Sequence, residues 1–303
     1  MNSREINIIE FPSNLGLKKN ATEVEPGVKK LPDWLQTFGF HEQINPKKVY
    51  RIEPPVYSME MDEESGVRNA DKIAEYAIQQ SKLLKERLNE DTFQLILGGD
   101  CSILIGNSVA LKQKGEFGLF YIDGHTDFIG PELSHTGGAA GMDLAIVTGH
   151  GHDKLTDILS EKPYFEEAHV FCVGNREYDE DYVKPIINSG IRYFDLKAVR
   201  ANGFESTAKK FLELIHQRNL DGFFIHIDVD ALNDEIMPAV DSREKDGLTY
   251  EEFSELLKPL LSSDKAIGME VTILDPNLDR DGKYTKEFIK HFLEIFEYGK
   301  AST

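Results

Sequence analysis

The sequence predicts an α/β fold: a single three-layer α-β-α domain with a mainly parallel sheet, occupying residues 1–303. Short apolar runs of strand length alternate with longer segments of helical period, and these runs are apolar throughout. Alternating strands and helices indicate βαβ units, and continuously apolar strands indicate a parallel sheet that is covered on both faces. No linker, low-complexity block or internal repeat divides the chain.

Seven runs have the length and composition of strands. They are residues 6–11, 93–97, 118–123, 169–173, 191–194, 222–230 and 266–271. Amphipathic periodicity predicts helices over residues 69–89, 205–217, 250–261 and 284–298. The last of these contains Phe288, Phe292 and Phe296, and we expect it to pack on the sheet or on a neighbouring subunit.

The composition excludes several classes of protein. The 303 residues include 34 Lys and Arg against 53 Asp and Glu, a formal net charge of −19. Nucleic acid and anionic membrane surfaces both attract clustered basic side chains, so neither is an expected partner. No stretch approaches the roughly 18 consecutive apolar residues of a membrane span. Only two cysteines and no signal-peptide pattern favour the cytoplasm.

Polar and acidic residues gather at the ends of four predicted strands, where parallel sheets bind ligands. The segments read GGDCS at 98–102, DGHTD at 123–127, HIDVD at 226–230 and GMEV at 268–271. Alternate residues of an extended strand point the same way. The residues that this geometry turns toward a common site are Asp123, His125, Asp127, His226, Asp228 and Asp230.

Four aspartates in one site would repel each other and take up protons unless cations lay between them. We therefore expect divalent metal. Carboxylate and imidazole together suit manganese, iron or zinc better than calcium, which prefers oxygen ligands alone. Bridging carboxylates would hold two ions about 3.5–4 Å apart.

In this order and at these separations, the four segments resemble the ureohydrolase family of arginase and agmatinase. The resemblance implies an arginase-like fold, a binuclear manganese centre and a small guanidino substrate. A metal-bridging hydroxide would attack the guanidino carbon, releasing urea or a substituted urea and an amine. Iron, cobalt and zinc are alternatives to manganese. The resemblance also suggests a homo-oligomer, either a trimer or a hexamer.

The resemblance assigns roles to individual residues. Asp127 would orient the hydroxide, and Glu270 would face the guanidinium group, which a buried carboxylate can pair bidentately. The expected metal ligands are Cys101, Asp123, His125, Asp127, Asp228 and Asp230, with Asp123 and Asp228 bridging the two ions.

Three positions depart from the family pattern. Cys101 stands where histidine is usual, so it is either a thiolate ligand or a small buried residue beside a weakened metal site. Ala140 replaces a histidine that assists proton transfer in arginase-like members. The proton donor would then be Asp127, water or another histidine, of which His226 is best placed by strand parity unless it is a packed core residue. Ile129 replaces an asparagine that holds the α-carboxylate of arginine, so arginine itself is a doubtful substrate.

The predicted contacts for the far end of the substrate are Thr136, Glu177 and Glu180. Their acidity suits an amino group better than a carboxylate. Two other functions stay open. One is hydrolysis of a different C–N bond, in a formimino compound or an acetylated amine. The other is a degenerate family member that binds one metal or none and serves an assembly or regulatory role.

Overall fold

A computed structural model describes residues 4–20, 23–88 and 91–301, which form an eight-stranded sheet. The strands are β1 (Glu5–Phe11), β2 (Lys48–Arg51), β3 (Thr92–Gly98), β4 (Phe117–Ile122), β5 (Val170–Val173), β6 (Arg192–Phe194), β7 (Gly222–Asp228) and β8 (Ala266–Thr272). Their order across the sheet is β2-β1-β3-β8-β7-β4-β5-β6, and every neighbouring pair is parallel.

Helices cover both faces of this sheet. Those of the described residues are α1 (Leu31–Thr37), α2 (Phe40–Ile44), α3 (Ala70–Arg87), α4 (Ile103–Lys112), α5 (Asp143–Val147), α6 (Asp153–Thr156), α7 (Glu180–Ile187), α8 (Leu196–Asn202), α9 (Phe204–Gln217), α10 (Tyr250–Leu261) and α11 (Lys283–Ala301). One hydrophobic cluster joins the sheet to α1, α2 and α8–α11, and a second joins it to α3–α7. The predicted three-layer α/β fold class is confirmed.

Most predicted elements agree with the structure to within a few residues. The helix predicted at residues 69–89 is α3, and its predicted end at Asn89 lies outside the described residues, as do both ends of the predicted domain 1–303. β2 was not predicted, because this edge strand is short and largely exposed. Among the described residues, no helix is both long and apolar enough to cross a membrane.

The strand predicted at residues 222–230 is too long. β7 ends at Asp228, whose Oδ1 accepts a hydrogen bond from the backbone N–H of Asp230 at 2.7 Å. This local bond turns the chain into a short 3₁₀ segment, Val229–Ala231, in place of further ladder pairing. Asp230 therefore reaches the sheet edge by a turn and not by strand alternation.

The final helix α11 packs on the sheet, one of the two positions expected for it. Phe296 meets Phe93 of β3 with ring centroids 5.8 Å apart, and Phe292 meets Phe40 of α2 at 5.7 Å. Such aromatic pairs bury large apolar areas and add about 0.5–1.5 kcal/mol each beyond the area term.

The pairing of β7 with β8 contains an irregularity near its lower end. Phe223 pairs with Ala266, whereas the next residue, Phe224, pairs with Gly268. Above this bulge the register places His226 opposite Glu270. On the other side of β7, His226 pairs with Tyr121 of β4.

Candidate metal centre

The loop after β3 positions Cys101 beneath the edge of the sheet. A Cβ atom at Gly99 would lie 1.6 Å from the carbonyl oxygen of Ser13, so this close crossing of two backbones requires glycine. The chain then enters α4 and leaves the Cys101 side chain 1% exposed. Its Sγ lies 3.1 Å from Asp228 Oδ2 and donates a hydrogen bond to it.

The loop after β4 brings Asp123, His125 and Asp127 to the same edge. β4 ends at Ile122, so the expected extended geometry of these three residues is wrong. Asp123 Oδ1 instead accepts a hydrogen bond from the His125 backbone N–H at 2.6 Å, and Asp127 has a positive φ of 44°. Hydrogen bonding of an aspartate to the backbone two residues on creates a tight turn, and this turn gathers the side chains.

The chain after β7 faces that loop. Asp230 Oδ2 lies 2.9 Å from His125 Nδ1, and Asp230 Oδ1 accepts from the Gly124 backbone N–H at 3.0 Å. Arg176 supports Asp230 from behind by donating from Nη2 to its carbonyl oxygen at 2.8 Å. The two loops are thereby tied together by direct polar contacts.

Below these loops lies a buried row of side chains from adjacent strands. His226 Nδ1 is 2.6 Å from Glu270 Oε1, and the imidazole stacks on the Tyr121 ring with centroids 4.3 Å apart and an interplanar angle of 8°. Asn107 of α4 donates to Glu270 Oε2 at 2.5 Å. His226 and Glu270 are both fully buried, so packing and hydrogen bonds fix the orientation of the ring.

Two tyrosines and a further aspartate complete the surroundings of Asp127. Tyr121 Oη donates to Asp143 Oδ1 at 2.8 Å and lies 3.2 Å from Asp127 Oδ2. The Tyr182 hydroxyl accepts from the Asp127 backbone N–H at 3.3 Å and lies 3.4 Å from Asp127 Oδ1. Because Tyr182 belongs to α7, this contact connects the start of that helix to the candidate centre.

Burial and mutual repulsion favour the protonated forms of several of these groups. Desolvation, followed by repulsion from Asp123, raises the pKa of Asp127 well above its ordinary value. Desolvation and repulsion from Asp230 raise the pKa of both Asp123 and Asp228. Desolvation and the charge of Asp228 likewise raise the pKa of the Cys101 thiol. These are the shifts that a bound divalent cation reverses.

His125 and Asp230 behave differently because they form an ion pair. Burial alone would lower the pKa of His125, but the charge of Asp230 outweighs it and raises that pKa well above the ordinary value. Burial would raise the pKa of Asp230, but the charges of His125 and Arg176 lower it overall. This part of the site therefore carries its own compensating charge.

Two sets of side chains have metal-ligand geometry. The near group is Asp123, His125 and Asp230, and the deep group is Cys101, Asp123 and His226; within each group the ligand atoms lie within 4.8 Å of one another. Asp123 belongs to both. Its Oδ2 and the Nε2 of His226 are buried without a hydrogen-bond partner. Buried polar atoms without partners are costly, so this donor set fits divalent cations.

The structure brings the six predicted metal ligands together with His226 and Glu270. These ligands are Cys101, Asp123, His125, Asp127, Asp228 and Asp230. The predicted substrate contacts lie farther out. Thr136 is exposed, and its Oγ1 accepts from the Gly138 N–H at 3.1 Å. Glu177 is half-buried and accepts from the Asp179 N–H at 2.8 Å, whereas Glu180 is exposed at the first residue of α7.

Several residues of the site were missed by the sequence analysis. They are Asn107, Tyr121, Asp143, Arg176, Tyr182 and Thr272. Tyr121 carried a usable signal, because it lies two residues before Asp123 and so faces the same way. The others lie in other segments of the chain and reach the centre only through tertiary packing.

The chain is similar to known proteins in both sequence and fold. An arginase from Staphylococcus aureus is 27% identical over 286 residues, which cover 94% of each chain. The crystal structure of an arginase from Bacillus caldovelox superimposes with a TM-score of 0.85 at 25% identity, covering 99% of this chain and 100% of the other. A formimidoylglutamase from Bacillus subtilis shares the fold with a TM-score of 0.74 at 18% identity, covering 100% of this chain and 89% of the other. The model of the Arginase family matches residues 11–296, and the chain belongs to that family.

Proposed function

We propose that this protein is a metal-dependent amidinohydrolase. It would cleave a C–N bond of a small guanidino compound and release urea, or a substituted urea, and an amine. The observation that carries the proposal is the sharing of buried Asp123 between the near group and the deep group, in a chain of the Arginase family. One carboxylate between two sets of ligands is the arrangement expected for a binuclear centre.

The residues present fit two divalent ions. The family resemblance assigns Asp123, His125, Asp228 and Asp230 to one ion, and Cys101 and Asp127, with the same bridging aspartates, to the other. Manganese is the first expectation, with iron, cobalt and zinc as alternatives. When bound, the ions would supply Lewis acidity and a water of lowered pKa as the nucleophile.

Asp127 is the proposed proton carrier. Its carboxylate is held by the hydroxyls of Tyr121 and Tyr182. A carboxylate held beside the nucleophile can accept a proton from it and pass that proton to the leaving amine. His226 was also predicted to donate this proton, but its ring is fully buried and its Nδ1 contacts Glu270.

Negative charge at the bottom of the site and at the protein surface around it would select the substrate. Glu270 is proposed to face the cationic guanidinium group from below, where low dielectric strengthens the attraction. Toward the surface, Glu177 and Glu180 would favour an amino group at the far end of the substrate, with Thr136 as a polar contact. Ile129, 8% exposed, offers no hydrogen bond to a carboxylate.

The test is urea release from a panel of guanidino compounds. Metal-stripped protein would be loaded separately with manganese, iron, cobalt or zinc, and Asp127→Asn would serve as the inactive control. Release of urea from a cationic guanidino compound supports the proposal. No urea with any metal or substrate contradicts it, and release of formamide from a formimino compound or of acetate from an acetylated amine would assign a different C–N bond.

We further propose that the enzyme acts in the cytoplasm as a trimer or hexamer. The cytoplasmic location is supported by the small number of cysteines, and the trimer or hexamer is supported by the family resemblance. Light scattering of the purified protein measures the oligomeric state directly, and a monomer would contradict the proposal.

A further inference from the structure

His226 is held in a single orientation by contacts on three sides. Glu270 lies 2.6 Å from its Nδ1, Tyr121 stacks on its face, and Asn107 fixes the other oxygen of Glu270. With Glu270 as the acceptor, as it is toward the Asn107 amide, this contact puts the ring proton on Nδ1 and leaves the lone pair on Nε2. A 180° flip of the ring would break the contact between Nδ1 and Glu270.

The lone pair on Nε2 points into the deep group. Nε2 lies 4.0 Å from Asp123 Oδ2, too far for a hydrogen bond, and both atoms are buried without a partner. Cys101 Sγ completes the set within 4.8 Å. Three potential ligand atoms from three different strand ends therefore face one point, and two of them have no other bonding in the described residues.

We propose that His226 is a metal ligand, which completes a nitrogen, sulfur and oxygen site with Cys101 and Asp123. It would supply the imidazole that the family resemblance places at position 101. In addition to its proposed contact with the guanidinium group, Glu270 would receive the second ring N–H of a metal-bound histidine on Oε1 and fix the orientation of that ring. The proposal rests on the proposed function only in requiring a bound metal.

This ligand set favours a different metal from the one that the family resemblance suggests. Thiolate and imidazole prefer zinc, iron or cobalt, whereas manganese prefers oxygen ligands. His226 adds an uncharged ligand, whereas a further carboxylate would add negative charge to this deeply buried site.

Cobalt is the probe, because thiolate-to-cobalt charge transfer gives a near-ultraviolet band. Metal-stripped full-length protein would be titrated with Co²⁺ as wild type and as His226→Ala. We expect the affinity of the sulfur-containing site to fall by more than the roughly 10–100-fold typical of losing an outer hydrogen-bond partner. An unchanged band and affinity in His226→Ala would overturn the proposal and leave His226 a packing or proton-transfer residue.

The chain offers a matched control in His41. This histidine is also buried, and its Nε2 lies 2.9 Å from Glu10 Oε1, but it belongs to neither ligand group. We expect His41→Ala to leave the cobalt band and affinity as in wild type. An equal loss of affinity in both variants would assign the effect to general destabilisation and overturn the proposal.

A second measurement does not depend on the folding of a His226 variant. X-ray absorption of the cobalt-loaded His125→Ala protein would report sulfur and imidazole in the same shell, because the near-group imidazole has been removed. Sulfur without imidazole, or no sulfur, overturns the proposal. If both ligands are found while wild type releases no urea, the inference holds and the proposed function fails; urea release without sulfur coordination gives the reverse result.

Discussion

The near group and the deep group share Asp123 but solve the problem of buried charge in opposite ways. In the near group, His125 and Asp230 already form an ion pair, and Arg176 adds positive charge behind it. In the deep group, the Cys101 thiol retains its proton and donates to Asp228. Both groups must release a proton when a metal binds, because histidine coordinates as neutral imidazole and cysteine as thiolate. In the near group that proton comes from an imidazolium whose charge Asp230 balances, and in the deep group it comes from an uncharged thiol. Two metal-ligand groups a few ångströms apart can therefore differ in how their metal affinity depends on pH.

Asp123→Ala should have the largest effect, because it removes a ligand from both groups. We expect loss of bound metal and a fall in activity of about 10³-fold or more. Elemental analysis of the dialysed protein and the urea assay measure this. Asp279→Asn is the control, since Asp279 is buried but bonds to the start of α11, where it accepts from the backbone N–H groups of Tyr284 and Thr285. Two ions retained in Asp123→Ala would show that the groups do not share a ligand.

Asp230→Ala should separate the two groups. The near group loses a ligand and the partner of His125, so we expect one ion to be lost and activity to fall by about 10²-fold. The thiolate-to-cobalt band should survive, because the deep group is intact. Asp234→Ala is the control on the same loop, where Asp234 pairs with Arg243 at 2.6 Å near the surface. Loss of the band in Asp230→Ala would mean that the groups cannot fill independently.

Cys101→His should change the metal preference of the deep group. Neutral imidazole replaces a charged, soft thiolate, so we expect an unchanged fold and manganese binding tightened by about tenfold. Isothermal titration with manganese measures the change, and circular dichroism checks the fold. Cys172→Ser controls for loss of the other buried thiol, which lies on β5. Unchanged manganese affinity would argue that Cys101 is not a ligand.

Asp143→Asn should have the smallest effect, visible in the metal-free protein. Desolvation and the charges of Asp127 and Asp123 raise the pKa of Asp143, so the folded state binds its proton more tightly than the unfolded state. Stability therefore falls as pH rises from about 4 toward the folded-state pKa. Removing this ionisation should flatten the decline of Tm above about pH 4 by a few degrees. Parallel melting curves of wild type and variant would contradict it.

The parts of the site that follow strand ends could be predicted from the sequence. Cys101, Asp123, Asp228 and Glu270 lie directly at or after apolar runs, and a parallel sheet brings those ends to one edge. The position of Asp127 could not be derived from strand alternation, because its loop is a turn with a positive φ. Asp127 was predicted to face the same site as Asp123 and His125, but the extended strand geometry assumed for these residues was wrong.

The supporting contacts could not be predicted, because they depend on which elements become neighbours. Asn107 of α4 reaches Glu270, and Asp143 of α5 reaches Tyr121, only because both helices pack on the same face of the sheet. Nothing in the local sequence of Asn107 marks it as polar support for a buried carboxylate. The fold class followed from pattern, whereas these pairings are properties of the assembled tertiary structure.

The bulge between β7 and β8 has a consequence for how this centre tolerates change. Had the strands paired without interruption from Ala266, Met269 would lie beside His226, and Glu270 would point into the opposite helical layer. A single irregularity several residues below the centre therefore decides which side of the sheet receives the carboxylate. To transplant the centre into another parallel sheet, the residues of β8 would have to be aligned from the carboxyl end of the strand. Alignment from its first residue would omit the bulge and turn every side chain above it to the opposite face of the sheet.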